Sequence, residues 1–109
     1  VLPAGRAESE RIMLKAEQLT GRNGNAVMNH IVLFDYENKK TYLQSYDSIV
    51  AVVDRDRKVT LGCDWDYSKT TMKHLHAWMD QYTKFRGYSA ADIRKAIDQG
   101  EISYDPEMK

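Results

Sequence analysis

Between His30 and Trp65, short runs of β-branched and aromatic residues alternate with polar breaks of only a few residues, a spacing that leaves no room for crossover helices. His30-Ile31-Val32-Leu33-Phe34-Asp35-Tyr36 is the first run. Glu37-Asn38-Lys39-Lys40 turns it back into Thr41-Tyr42-Leu43-Gln44-Ser45-Tyr46. Asp47-Ser48 leads into Ile49-Val50-Ala51-Val52-Val53, apolar throughout and suited to a strand buried on both faces. After the charged turn Asp54-Arg55-Asp56-Arg57, the residues Val59, Leu61, Cys63 and Trp65 alternate with Lys58, Thr60, Gly62 and Asp64. The prediction is an antiparallel β-meander of three to four strands.

Helical spacing takes over on either side. Met72, Leu75, Trp78, Met79, Tyr82 and Phe85 fall on one arc of a helix, with Lys69, Lys73, Asp80 and Lys84 opposite. Ser68 is its expected N-cap, Tyr67 its staple onto Met72, and Gly87 its end. Ser89 with Asp92 resembles a capping box for a second helix, with Tyr88 placed to staple onto Ile93, a stripe of Ile93, Ala96 and Ile97, and Gly100 as the stop. Ile12, Ala16 and Leu19 predict a short amphipathic helix over 8–20, preceded by a loose arm at 1–7 and followed by the breaker Arg22-Asn23-Gly24-Asn25. A one-faced sheet and amphipathic helices bury each other in two layers, so the expected class is α+β: the meander packed by two C-terminal helices, with an extra N-terminal helix. The expected organisation is an arm and helix at 1–25, one compact domain at 26–105 and a tail at 106–109. The chain begins at Val1, which reads as the remainder of a longer or processed chain.

At 109 residues a single domain is the natural size. The 16 Lys and Arg balance 16 Asp and Glu, which argues against a broad basic surface for duplex nucleic acid. Cys63 stands alone, so neither an internal disulfide nor a cysteine-built zinc site is available. No apolar run is long enough for a membrane span and no signal-peptide core is visible, so the expected setting is a reducing cytoplasm.

Two segments carry the most specific pattern: Leu43-Gln44-Ser45-Tyr46-Asp47-Ser48-Ile49-Val50-Ala51, and Trp65-Asp66-Tyr67-Ser68-Lys69-Thr70-Thr71-Met72-Lys73-His74-Leu75. Together they resemble the signature of a small uncharacterised protein family of phages and bacterial mobile elements, SY-x-[ST]-x-[VI]-A followed by W-x-YS-x-TT-x-x-H. The resemblance covers the middle third of the chain and implies a compact domain of phage-like origin, with no reaction attached. Physically, Trp65, Tyr67, Ser68, Thr70, Thr71 and His74 form a helix-start motif, which fixes the angle at which a helix leaves a sheet. The same helix start offers N–H groups and hydroxyls to an anion, though no glycine-rich loop precedes it.

Catalytic and metal-binding constellations weigh little. His74 and His76 point about 200° apart on a helix, and His30, at the head of the first strand, is brought near neither by any spacing rule. Zinc needs three or four convergent ligands, so the reading is no metal and no cofactor. Cys63 reads as a small hydrophobe, with His74 its one conceivable base. Asp64 and Asp66 read as solvated loop carboxylates rather than an acid–base pair. Tyr36, Tyr42 and Tyr46 with Lys39, Lys40, Arg55 and Arg57 offer a stacking and phosphate-binding surface on the meander, which Asp35, Glu37, Asp54 and Asp56 dilute. The expected function is therefore a non-enzymatic interaction protein that binds a host or phage protein, as an inhibitor of host machinery or defence, or a second copy of itself. Nucleic-acid binding through those tyrosines and hairpin cations is the alternative, and a small hydrolase is a distant third.

Overall fold

The computed structural model describes residues 14–108. Six strands form one sheet in the order of the chain: β1 (Leu14–Thr20), β2 (Ala26–Asp35), β3 (Lys40–Ser45), β4 (Ser48–Val53), β5 (Val59–Gly62) and β6 (Ile102–Asp105). Helices α1 (Lys69–Tyr82) and α2 (Ala90–Asp98) lie between β5 and β6 in sequence. Neighbours from β1 to β5 are antiparallel, while β5 and β6 run parallel.

The period-two pattern sets the register. Val32, Leu43, Ala51 and Leu61 stand opposite one another across four strands, and all are fully buried. Leu75 and Trp78 on α1 and Ile93 on α2 complete that core, each at 0% exposure. Burying a large apolar side chain contributes about 1.5–3 kcal/mol, so this inter-layer seam dominates the favourable side of folding. Helix α1 packs on β1, β3 and β4, and α2 on β6. The next residues along each strand, Leu33, Tyr42, Val52 and Thr60, form a row on the other face and are half-buried. No helix among the described residues is long and apolar enough to cross a membrane.

Three features of the expected architecture are corrected. The first is the extra N-terminal helix: Leu14–Thr20 is strand β1, and the remainder of that expected helix, with the arm at 1–7, lies outside the described residues. Ala16 and Leu19 fit a helix by spacing, but only Leu19 is buried, and pairing with β2 satisfies the backbone. Gly21 and Gly24 serve a hairpin turn, with Gly24 at φ 84°. Gln81 Nε2 donates to the Thr20 carbonyl at 2.6 Å, and Arg22 Nε to Asp80 at 2.8 Å, which tie this hairpin to α1.

The second correction is strand number, six and not three to four. The third is direction: β6 returns after both helices and pairs parallel with β5, so the sheet is mixed. Residues 106–108 turn back over β5, where Cys63 N–H donates to the Met108 carbonyl at 3.2 Å. Gly62 permits that approach, because a Cβ there would sit 2.5 Å from the Met108 oxygen and 2.8 Å from the Ile49 oxygen.

The helix starts follow the sequence closely. Ser68 Oγ accepts from Thr71 N–H at 3.0 Å. At α2, Ser89 and Asp92 form a reciprocal capping box, and Gly100 follows at φ 80°. Tyr67, however, is 79% exposed and does not staple onto Met72. Helix α1 also ends at Tyr82, well before Gly87, where Thr83 turns extended at φ −131° and ψ 171° and its hydroxyl bonds the Met79 carbonyl. Phe85 is buried from the segment beyond.

Candidate functional site

The two-residue turn Tyr46-Asp47 joins β3 to β4 at one end of the sheet, and α1 starts at that same end. Tyr46 has φ 53°, a conformation that costs a bulky residue about 1–3 kcal/mol and persists only where neighbours enforce it. Here Tyr46 N–H donates to the Asn29 carbonyl at 2.8 Å, and Gln44 Nε2 to the Tyr46 carbonyl at 2.7 Å. The turn therefore faces the helix start across an open groove of about 610 Å3, a volume in the range of small-ligand sites.

Both halves of the signature line this groove. Ser45, Tyr46, Ser48 and Val50 come from the strand side, and Tyr67, Ser68, Thr70 and Thr71 from the helix start. Asp64 is the charged side chain among the lining residues. Tyr46 and Tyr67 stand at 62% and 79% exposure, while Ser45 and Thr71 are buried. The Ser48 hydroxyl donates to Asp64 Oδ2 at 3.1 Å. Ser68 and Thr71 hydroxyls lie 3.1 Å apart in the first turn of α1.

Beneath the groove lies a histidine pair. His30 is 2% exposed, with Nδ1 3.0 Å from the Met28 carbonyl and Nε2 3.0 Å from the Ser45 hydroxyl. A carbonyl only accepts, so Nδ1 carries a proton, and in the neutral imidazole Nε2 then accepts from the Ser45 hydroxyl. His74 packs on His30 with ring centroids 4.4 Å apart, and its Nδ1 is buried with no hydrogen-bond partner among the described residues. Burial, then the nearby His30 and Lys73, hold the His74 pKa below the ordinary histidine value. Among the described residues, no group of three or more His, Cys, Asp or Glu is arranged to hold a metal ion.

The remaining expected site residues are dispersed. Lys39, Lys40, Arg55 and Arg57 sit around the β2–β3 and β4–β5 turns, at the opposite end of the sheet from Tyr46. Tyr36 stacks on Phe34, which packs on Tyr82 of α1, whereas Tyr42 lies in the row on the other face. Tyr36, Tyr42 and Tyr46 therefore do not share one platform. Trp65 is buried, with the Arg94 guanidinium 5.3 Å above its ring and 3.6 Å from Asp66. Among the described residues, no hydrogen bond joins Cys63 to a histidine.

Sequence reading missed His30 and the convergence on Ser45. The available signal was parity: His30 shares the inward face of Val32, two residues on. No curated protein and no solved structure is significantly similar to the chain. The family model described as "Family of unknown function (DUF8033)" matches residues 10–95, a span that includes every groove residue. The chain belongs to that family of unknown function, DUF8033.

Proposed function

We propose that this chain is a non-enzymatic interaction protein of a phage or mobile element, which grips a protein partner in the groove between the β3–β4 turn and the start of α1. The phage-like origin and the bacterial cytoplasm rest on the resemblance of the signature. The observation that carries the binding reading is the convergence of the two signature halves, distant in sequence, on one groove rimmed by exposed Tyr46 and Tyr67. Tyrosine at a rim supplies contact area with little entropy to lose, and such residues dominate binding surfaces.

Ser45 and His30 have the contact distance of a nucleophile and its base. The rest of their surroundings favours a structural role. The far nitrogen of His30 meets a backbone carbonyl and not a carboxylate, and the ring packs on a second imidazole, so an imidazolium formed there lacks an anionic partner.

The test is capture from nuclease-treated bacterial lysate by the full chain, compared with a Tyr46→Ser/Tyr67→Ser variant. A protein held by the wild type and released by the variant is the expected result. Equal capture by both, or capture lost on nuclease treatment, overturns the reading. Labelling of Ser45 by a fluorophosphonate probe, identified by mass spectrometry, overturns its non-enzymatic part.

A further inference from the structure

We infer that the groove receives an arginine side chain presented by the protein partner, with the guanidinium on the Ser45–Ser48–Asp64 floor between the two tyrosines. This rests on the groove being the binding surface, and a count of protons goes further. The Ser45 proton is committed to His30 Nε2, because Nδ1 already donates to the Met28 carbonyl. The Ser48 proton is committed to Asp64. What these three lining groups have left to offer a ligand is lone pairs, and Asp64 adds the one charged side chain of the groove. A group that fills this floor must bring protons and suits a positive charge.

Guanidinium meets those demands most fully. It is planar, always charged and carries five N–H donors in a fixed fork, and it stacks on tyrosine faces. An ammonium offers three donors at a point and no flat face. A phosphate would bring negative charge against Asp64. The start of α1 has the reverse polarity: Ser68 caps the Thr71 N–H, and the first-turn N–H groups of Lys69 and Thr70 have no intrahelical acceptor. These suit the backbone carbonyls of the segment that carries the arginine.

The experiment is a two-dimensional amide NMR titration of the full chain with N-acetyl-arginine-methylamide, with the citrulline analogue and with inorganic phosphate. Arginine is expected to shift amides at 46–48 and 64–70. Citrulline, which keeps the shape and loses the charge, is expected to bind about tenfold more weakly, as is arginine to Asp64→Asn, which keeps an acceptor for Ser48. Equal binding of citrulline, tighter binding of phosphate, or no response to arginine overturns the inference. If arginine fails while tyrosine-dependent protein capture persists, the binding reading stands and only the ligand assignment falls. If both fail, the groove is not the binding surface.

Discussion

The imidazoles of His30 and His74 meet where β2 faces α1, tilted by 56° at a centroid distance of 4.4 Å. The contact with His30 disfavours a charge on His74, because like charges repel. The folded state depresses the His74 pKa from 6.5, through burial first and then His30 and Lys73. Burial and Arg22 also depress that of His76, against Asp80. A histidine with a lowered folded pKa contributes stability that is complete above pH 6.5, because both states are then neutral. Below that pH the unfolded chain takes the proton first, and stability falls. The melting temperature is expected to drop between pH 7 and pH 5, and His74→Phe, which keeps a ring against His30, is expected to flatten the profile. Parallel profiles for variant and wild type in circular dichroism melts would refute the assignment.

Ser68→Ala removes the acceptor for Thr71 N–H and the hydroxyl contact beside it. The expected cost is about 1 kcal/mol in urea unfolding, as for loss of other side-chain N-caps. Ser68→Asp restores an acceptor at the helix start and is expected to recover most of it.

Leu19 is the one fully buried residue of β1. Leu19→Ala is expected to cost about 2–5 kcal/mol. A chain starting at Ala26 is expected to be less stable than the full chain, because its removal of β1 leaves the long β2 as an open edge. An unchanged unfolding midpoint for the truncated chain would show that β1 is an appendage.

Gly62→Ala places a methyl group against two backbone oxygens, those of Met108 and Ile49. Neither belongs to a flexible side chain, so strands must separate. Overpacking of this kind costs about 1–3 kcal/mol. Amide exchange is expected to speed up at Cys63, whose N–H bonds the Met108 carbonyl.

Trp78 is fully enclosed between α1 and the sheet. Trp78→Ala is expected to cost about 3–5 kcal/mol and to unfold most of the domain, read as loss of the near-ultraviolet signal.

The parts of the fold that could be read in the sequence are those where local chemistry and tertiary burial agree. Ser68, Ser89 and Asp92 cap helices because their short side chains reach backbone N–H groups whatever lies around them. Val32, Leu43 and Leu61 alternate because the sheet has one buried face. In β1 the two levels conflict: Lys15, Ala16, Glu17 and Gln18 favour helix, and only pairing with β2 overrides them. β6 has a single buried residue, Ile102, and its parallel partner β5 lies across both helices in sequence, beyond any local period. The groove was half legible. Its helix-start side announced itself through caps, but the approach of Ser45 and Tyr46 depends on the β3–β4 turn and on a buried imidazole beneath it.

The parallel pairing of β5 with β6 bears on the order in which the molecule can be made. Until residues 102–105 emerge from the ribosome, β5 presents a bare row of amides and carbonyls to its surroundings, although every earlier strand already has its neighbours. A released chain truncated after Gln99 should therefore be a species that chaperones hold, and a chain extended through Asp105, in which the last strand closes the edge, should escape them.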